Sequence, residues 1–399
     1  MRNVNNRLRL LMFFQLFSSG ALTPILSLYL SITLKFNGTQ TGIILAMSMA
    51  SSVIAPLAGT FIADRLINSE RLVGAVQSAG SLIMLVLAFQ KDFTVFLVLY
   101  LVYSLVVGPA MALTNTIVFH HQPDAKKNYG LVRVWGTIGW IAAAWAPLAF
   151  GLRPDTLRIS LVLSAVSSLI TGIFSFTLPM VHTRLDKHPS FLPVESMSVI
   201  VKPGVLIVMF ISMLVNLVDR YYYFGMAPFL KTMGFADRAI MPMMSIGQVP
   251  EIIAMAVLGP MLARFSMKTM LASGVLMEFL RFAVFASGGP MFIIVSAIAM
   301  HGLTYVFYSV VVLIYLDGFC NKKTRAGVQQ IFSIFAMGIG SFFGNICAGV
   351  MMDIFRIQDT LKVNFTLFWA VPAVISALIF VLIVTGISGS KGPKVLNRR

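Results

Sequence analysis

The sequence predicts an all-α integral membrane protein whose twelve transmembrane helices form two six-helix bundles. Three observations lead to this fold class. Hydrophobic residues make up 58% of the 399 residues and charged residues only 11%, against about 25% charged in a typical soluble domain. Apolar runs long enough to cross about 30 Å of hydrocarbon recur along the whole chain. A longer polar segment near the middle separates six of these runs from the other six.

The first six spans make up an N-terminal bundle, residues 1–180, and are predicted at 10–34, 41–62, 72–89, 93–119, 131–150 and 159–180. A cytoplasmic linker follows at 181–202. The remaining spans make up a C-terminal bundle, residues 203–388, and are predicted at 205–230, 239–262, 267–287, 291–316, 327–352 and 365–387. A basic tail, 389–399, ends the sequence. This layout is typical of transporters built from two related halves.

The formal net charge of +16 would suggest a nucleic-acid partner in a soluble protein. Here the charge follows topology instead. With the N-terminus inside, 19 of the 30 Lys and Arg residues fall on cytoplasmic segments and 8 on the opposite side. This asymmetry satisfies the positive-inside rule. We therefore predict that both termini are cytoplasmic and that the protein does not bind nucleic acid.

The N-terminus has two interpretations, because Arg7 and Arg9 precede an apolar stretch as they would in a secretory signal. That stretch runs to about Leu34, which is longer than a signal core, so a first transmembrane helix is favoured. The two cysteines, Cys320 and Cys347, have no metal-binding or redox spacing and are predicted to be inert thiols.

Ionisable residues inside the predicted spans are the first functional candidates, because a charge at the bilayer centre costs at least about 2.5 kcal/mol unless it is paired or faces water. They are Arg133, Asp219, Arg220, Glu251, Glu278 and Arg281. The sequence has no metal-binding histidine cluster, no phosphate-binding glycine loop and no nucleophile elbow. We therefore predict a pathway for a solute, with no cofactor and no enzymatic activity.

On the fifth span, Arg133, Thr137 and Trp140 have the spacing i, i+4, i+7 and share one helix face. Gly136 and Gly139 allow close approach to that region. The face offers a guanidinium, a hydroxyl and an indole, which can hydrogen-bond a sugar or base and stack on a ring. The alternative is that Arg133 extends back to the cytoplasmic surface.

On the eighth span, Glu251 lies near the midpoint and Gln248 shares its face. A carboxyl group at this depth is stable when protonated or paired, so it can exchange a proton as the cavity opens to alternate sides. The alternative is a static ion pair with Arg133 or Arg220.

The seventh span contains an unusual polar cluster of Asp219, Arg220, Tyr221, Tyr222 and Tyr223. Adjacent helical residues point about 100° apart, so Asp219 and Arg220 are expected to face different directions. Either the helix is interrupted here or one of the two faces a neighbouring helix. Asp219 is the second candidate for proton handling. Tyr221 and Tyr222 have an alternative role as an interfacial aromatic belt.

Two further pairs lie on the ninth and tenth spans. Glu278 and Arg281 are one helical turn apart and are predicted to neutralise each other in a structural role. His301 and Tyr305 are i, i+4 partners on one face, either lining a cavity or packed inside the bundle.

The turn between the second and third spans contains Gly59, Asp64 and Arg65, followed by Glu70 and Arg71. It resembles the conserved loop of the major facilitator superfamily, although the usual Gly-Arg ending is absent. Gly59 would allow close helix contact, and Asp64 and Arg65 would form charge-assisted contacts that break during transport. We predict a conformational gate here. A simple polar turn is the alternative.

The fifth-span sequence Val-Arg-Val-Trp-Gly-Thr-Ile-Gly-Trp, residues 132–140, resembles the signature of the nucleoside:proton symporter family within that superfamily. Further blocks along the chain agree with the family, and they lie at 34–38, 113–117, 245–251, 280–283 and 325–329.

The resemblance implies a nucleoside site in a central cavity, formed by polar residues of spans five, seven, eight and ten. Arg133, Thr137 and Trp140 match the family positions on span five, and Gln248 and Glu251 match those on span eight. Spans seven and ten depart from the family pattern. Arg220 and Tyr223 stand where a glutamine and an asparagine are expected, His301 and Tyr305 replace other aromatic residues, and Val306 stands where an acid is expected.

We therefore predict a secondary active transporter of the plasma (bacterial inner) membrane that imports nucleosides by proton symport through alternating access. Its predicted partners are the nucleoside, protons and the lipid bilayer, and a monomer is expected. The alternatives are a transporter of a sugar, nucleobase or drug-like solute, suggested by the altered seventh and tenth spans, an integral-membrane enzyme, and a sensor that does not transport.

Overall fold

The structure is a computed structural model that describes residues 2–49, 51, 68–121, 125–149, 157–180, 194–321, 323–357 and 362–387. Over these residues the regular structure is helical, apart from one isolated bridge between Arg356 and Val363. Contacts divide the chain into two units. The first consists of Met1–Pro189 with Gly234–Pro242, and the second of Ser190–Met233 with Met243–Arg399.

The helices of the N-terminal half follow the predicted spans. They are α1 (Arg2–Leu22, Leu26–Leu28 and a π-helical turn at Tyr29–Thr33), α2 (38–49), α3 (Ser69–Leu87), α4 (Phe93–Val107 and Ala110–His121), α5 (Ala125–Ala149) and α6 (Leu157–Phe176).

The helices of the C-terminal half include two long π-helical stretches. They are α7 (Pro203–Thr232), α8 (Asp237–Ser245 and Gln248–Arg264), α9 (Met267–Ser287), α10 (Met291–Thr304, a π-helical stretch at Tyr305–Val310 and Val311–Asp317), α11 (Arg325–Phe332, a π-helical stretch at Ser333–Gly340 and Ser341–Ile354) and α12 (Phe365–Gly386). A short helix, Val194–Ile200, precedes α7.

The predicted membrane class is confirmed by the helices, because eleven of those described are long and apolar enough to cross a bilayer. The second predicted span begins as α2 and continues into residues outside the described ranges. Large apolar side chains lie exposed along the helices, among them Phe292, which is 72% exposed. Such surfaces are rare on soluble proteins and are suited to contact with lipid.

In the first unit, α1 packs against α5 and α6, and α3 packs against α6. The contact between α1 and α5 is very close, since a Cβ atom built on Gly139 would lie 2.1 Å from the backbone oxygen of Phe13. Small residues commonly allow such approach between membrane helices. A buried amide pair joins α1 to α3, where Gln77 donates a 2.6 Å hydrogen bond to Gln15 and accepts one of 2.9 Å from Ser168 of α6. The Gly139 contact holds α5 against α1 and so determines which face of α5 is left uncovered.

In the second unit, α9 packs against α10 and α12, and α7 packs against α11 and α12. An aromatic cluster fills the space between α7, α9 and α12, with Trp369 fully buried at its centre. Phe282 stacks on the Trp369 indole at 5.7 Å, and Phe285 and Phe368 contact it at 5.3 and 5.0 Å. This rigid packing positions the polar side chains that lie on the other sides of α7 and α9.

Candidate functional site

The predicted face of α5 is distinct from both the packed face and the exposed face of that helix. Arg133, Thr137 and Trp140 are each half-buried, whereas Val132 and Ala143 are fully buried. Apolar residues such as Leu131 and Val134 occupy the exposed face. The three predicted residues therefore form a polar strip between the helix-packing side and the lipid-facing side.

The two glycines beside that strip allow the close approach that the sequence predicts, and the element that approaches them is α1. Gly139 contacts the backbone of α1 at Phe13, and a Cβ on Gly136 would lie 2.2 Å from the side chain of Leu16. The same Cβ would lie 2.9 Å from Nη1 of Arg133, so the guanidinium runs along the helix towards its middle and not back towards the start of α5. Within its unit, no described carboxylate pairs with Arg133.

On α7, one of the two predicted alternatives is confirmed, because Asp219 faces a neighbouring helix, where Nη2 of Arg281 of α9 lies 3.5 Å from its Oδ1. The helix is continuous from Pro203 to Thr232, yet Nη2 of Arg220 lies 2.8 Å from Oδ2 of Asp219. The two Cα–Cβ bonds diverge, but the long arginine side chain curves back to its neighbour. The guanidinium also lies over the ring of Tyr223, 5.0 Å from its centroid, which is a favourable cation–π geometry.

Arg281 of α9 is the centre of a buried ionic cluster. Its side chain is 0% exposed, and it donates to Oε1 of Glu278 at 3.0 Å, as predicted. It also reaches α7, where Nη2 lies 3.5 Å from Oδ1 of Asp219. Because of this second contact, the Glu278–Arg281 pair is part of the same assembly as Asp219 and Arg220. The sequence predicted the pair but gave it a separate structural role.

The contacts of His301 of α10 determine its tautomer. Nη1 of Arg281 lies 2.5 Å from Nδ1 of His301, and a guanidinium only donates hydrogen bonds. Nδ1 must therefore accept, so the hydrogen of the neutral ring is on Nε2 and is donated to the hydroxyl oxygen of Tyr223 at 3.2 Å. Oδ1 of Asp219 lies 3.8 Å from Nδ1. We call Asp219, Arg220, Glu278, Arg281 and His301 the ionic cluster.

Tyr221 and Tyr222 are not an interfacial belt. Both are fully buried, and the ring of Tyr222 stacks on the imidazole of His301 with a centroid distance of 4.6 Å and an interplanar angle of 15°. The guanidinium of Arg281 lies 4.9 Å above the same tyrosine ring. Tyr222 therefore forms one wall of the ionic cluster, a role that its position in the sequence did not reveal.

Helices α8 and α10 meet at two glycines beside the predicted carboxylate. A Cβ on Gly302 would lie 2.1 Å from the backbone oxygen of Gly247 and 2.9 Å from Cβ of Glu251. Gly247 itself faces Cβ of His301. Gln248 and Glu251 are half-buried, while Val249 is exposed on the other side of the helix. Glu251 of α8 therefore packs against Gly302 of α10, the residue that follows His301.

His301 and Tyr305 differ in their surroundings although they are four residues apart. His301 is 8% exposed and Tyr305 is 44% exposed, and the π-helical stretch of α10 begins at Tyr305. Such π-helical insertions are frequent at functional sites. His301 is joined to the ionic cluster by its hydrogen bond with Arg281.

The predicted gate residues Gly59, Asp64 and Arg65 lie outside the described residues. Cys320 lies after the end of α10, and burial raises the pKa of its thiol. Because the thiolate is the reactive form, that shift agrees with an inert cysteine. A separate apolar cavity of about 390 Å³ in the first unit is lined by Phe14, Phe17, Trp145 and neighbouring residues, and contains none of the predicted site residues.

Comparisons with known proteins agree with the motif-based resemblance. The family model described as nucleoside H⁺ symporter matches residues 2–391. The putative nucleoside transporter YegT of Escherichia coli (strain K12) is 30% identical over 396 residues, covering 94% of this chain and 92% of that protein. The nucleoside permease NupG of the same organism is 23% identical over 375 residues, covering 88% and 89%.

The fold also matches a solved structure. The crystal structure of nucleoside transporter NupG superposes with a TM-score of 0.86 at 22% sequence identity, covering 96% of this chain and 98% of that one. At this identity, the match establishes a shared fold along nearly the whole chain.

Proposed function

The chain belongs to the nucleoside H⁺ symporter family, and from that premise we propose that it imports nucleosides together with protons by alternating access. The match of the family model across residues 2–391 carries this proposal. The protein is an integral membrane transporter of the major facilitator type, and the family predicted from its motifs is confirmed.

The proposed nucleoside-binding residues fall on both units. Those of the first unit are Arg133, Thr137 and Trp140, and those of the second are Arg220, Tyr223, Gln248, Glu251, His301 and Tyr305. Their chemistry suits the solute, because guanidinium and amide groups bind hydroxyl and carbonyl groups while an indole stacks on a base. The half-buried strip on α5, with a guanidinium directed along it, supports this assignment.

Proton coupling is proposed for Glu251 and Asp219. Protonation of Glu251 would favour nucleoside binding from outside, and release of the proton inside would favour return of the empty carrier. Glu251 packs against Gly302, the residue that follows His301 of the ionic cluster, and this position supports a link between Glu251 and Asp219. Gly59, Asp64 and Arg65 remain proposed as a conformational gate on the strength of their sequence pattern.

We further propose that the protein works as a monomer in the lipid bilayer of the bacterial inner membrane, with both termini cytoplasmic. The distribution of Lys and Arg supports this orientation. We also propose that the protein has no enzymatic activity, uses no cofactor and does not bind nucleic acid.

The test is counterflow of radiolabelled nucleosides in proteoliposomes, followed by uptake under an imposed pH gradient. Exchange of a nucleoside with gradient-driven accumulation is expected. Accumulation that a protonophore leaves unchanged would contradict proton coupling, and no exchange of any nucleoside would contradict the substrate. Thermal stabilisation by nucleosides, nucleobases and sugars in detergent would then identify the substrate class.

A further inference from the structure

We propose that His301 is a proton-binding residue of the transport cycle. When His301 is protonated, Oδ1 of Asp219 exchanges its contact with Arg281 for a hydrogen bond from the imidazole. This proposal rests on the proposed function, because it assigns a second proton site to a nucleoside symporter. It concerns a residue that was singled out above for substrate binding only.

The ionic cluster is balanced in charge when His301 is neutral. It contains two carboxylates, Asp219 and Glu278, and two guanidinium groups, Arg220 and Arg281. Every ionised member has an opposite charge within 3.5 Å. With a neutral ring the cluster therefore has no net charge, and a proton bound by His301 would add one positive charge that needs a carboxylate partner.

Nδ1 is the ring atom that would take the proton, because Nε2 already bears hydrogen. Once protonated, Nδ1 becomes a donor that faces Nη1 of Arg281, which is also a donor, so the 2.5 Å hydrogen bond between them must break. The new N–H has an acceptor close by in Oδ1 of Asp219, at 3.8 Å. A small movement of the carboxylate or the ring would form a charge-assisted hydrogen bond.

The remaining contacts allow Asp219 to change partner. Its other oxygen, Oδ2, is held by Arg220 at 2.8 Å, and Arg281 keeps Glu278 at 3.0 Å. The contact that would be exchanged, between Arg281 and Oδ1 of Asp219, is the longest of the three guanidinium–carboxylate contacts at 3.5 Å. Protonation of His301 therefore leaves each cation of the cluster with a carboxylate.

The exposure of the side chains gives a route for the proton. Asp219 and Arg220 are each 21% exposed, whereas Arg281 and Glu278 are fully buried. Of the two carboxylates of the ionic cluster, Asp219 is therefore the one that is accessible from outside the cluster. A proton would reach Nδ1 of His301 by way of Asp219.

The hydrogen bond to Tyr223 connects this proton site to a position proposed for substrate binding. A protonated imidazole donates a stronger hydrogen bond to the Tyr223 hydroxyl oxygen than a neutral one. That bond polarises the hydroxyl and makes its own hydrogen a better donor to a ligand. Proton binding at His301 would in this way strengthen nucleoside binding.

Every helix packed against His301 contributes charged or titratable groups to its surroundings. They are Asp219, Arg220, Tyr222 and Tyr223 on α7 and Glu278 and Arg281 on α9, and Glu251 on α8 packs against Gly302, the residue that follows His301. Because Glu251 is proposed to titrate as well, the experiment must separate the two sites.

The test uses His301→Gln. The glutamine amide supplies an acceptor and a donor in place of Nδ1 and Nε2 of the imidazole, but it takes up no proton. The matched control is His121→Gln in the first unit, where the ring contacts the backbone oxygens of Ile117 and Pro179 and Nδ1 lies 3.9 Å from Oε1 of Glu70. Each variant is assayed for nucleoside counterflow without a gradient, for accumulation driven by a pH gradient, and for proton uptake when nucleoside is added in detergent.

Because His301 is also a proposed binding residue, accumulation is compared with counterflow for each variant. We expect the ratio of gradient-driven accumulation to counterflow in His301→Gln to fall to that of wild type with a protonophore, and fewer protons to be taken up per nucleoside bound. His121→Gln should behave as wild type. Accumulation and proton uptake at wild-type levels in His301→Gln would overturn the proposal.

If His301→Gln loses counterflow as well, the proposal is tested with Asp219→Asn. This substitution leaves the imidazole of His301 in place and removes the carboxylate that must change partner. Wild-type accumulation in that variant would also overturn the proposal. A wild-type protein that exchanges no nucleoside contradicts the proposed function instead. The His301 proposal is then judged by the pH profile of thermal stability, and identical profiles for wild type and His301→Gln would overturn it.

Discussion

Gly302 lies directly against Glu251, with no room for a side chain between them. A Cβ atom built on Gly302 would be 2.7 Å from the backbone nitrogen of Glu251 and 2.9 Å from its Cβ. Real Cβ atoms do not approach other atoms this closely, so α8 and α10 contact each other backbone to backbone at the level of the carboxylate. The position of Glu251 relative to His301 therefore depends on a glycine.

Substitution of Gly302 by alanine should destabilise the protein by about 1–3 kcal/mol, the usual cost of an extra methyl group in a packed interior. The matched control is Gly259→Ala on α8, where a Cβ would meet nothing within 4 Å. That change should be neutral or stabilising by up to about 1 kcal/mol, because alanine is the better helix former. Thermal unfolding in detergent measures both. Equal shifts for the two variants would contradict the close contact.

Substitution of Glu251 by glutamine should abolish gradient-driven accumulation while leaving some nucleoside exchange. The amide keeps the size and hydrogen-bonding capacity of the side chain but cannot carry a proton. The measurement is accumulation against counterflow in the same proteoliposomes. Glu195→Gln is the control, because Glu195 is exposed in the short helix before α7. Full accumulation by Glu251→Gln would exclude the proposed coupling role.

The Arg281–Glu278 pair can be tested by comparing one substitution with two. Arg281→Leu alone leaves the carboxylate of Glu278 buried without its partner, which should cost about 3–5 kcal/mol. Replacing both residues by leucine removes the uncompensated charge and should recover most of that loss. Thermal unfolding in detergent compares the variants.

A double variant that is no more stable than Arg281→Leu would show that Arg281 acts mainly through Asp219 and His301. Recovered stability without recovered transport would instead separate the structural pair from the function of the cluster. In either outcome, counterflow of the double variant completes the comparison.

The sequence predicts the structural features that depend on the geometry of a single helix. The Glu278–Arg281 pair was predicted because i, i+3 spacing brings two side chains together whatever surrounds them. The span pattern was predicted for the same kind of reason, since hydrocarbon thickness sets the length of each apolar run. Both features follow from local geometry.

Contacts between helices were not predictable in this way. Helical spacing identifies the face of α7 that bears Asp219, but the identity of the helix opposite that face depends on the glycine contacts and on the aromatic packing around Trp369. Arg281 and His301 are 20 residues apart and no periodicity relates them. The surroundings of Tyr222 were left open by the sequence, because a tyrosine near the end of a span has the same sequence pattern at an interface as in a core.

Tyr222 and Tyr223 provide a matched pair for the role of the His301 hydrogen bond. The Tyr223 hydroxyl accepts from Nε2 of His301 at 3.2 Å, whereas the buried Tyr222 hydroxyl has no hydrogen-bond partner among the described residues. Tyr223→Phe should therefore cost about 0.5–1.5 kcal/mol of stability and weaken nucleoside binding. Tyr222→Phe keeps the ring that stacks on His301 and removes an unsatisfied hydroxyl, so it should be neutral or stabilising. Thermal unfolding and nucleoside titration of both variants measure these effects, and a greater loss of affinity in Tyr222→Phe than in Tyr223→Phe would contradict the assigned roles.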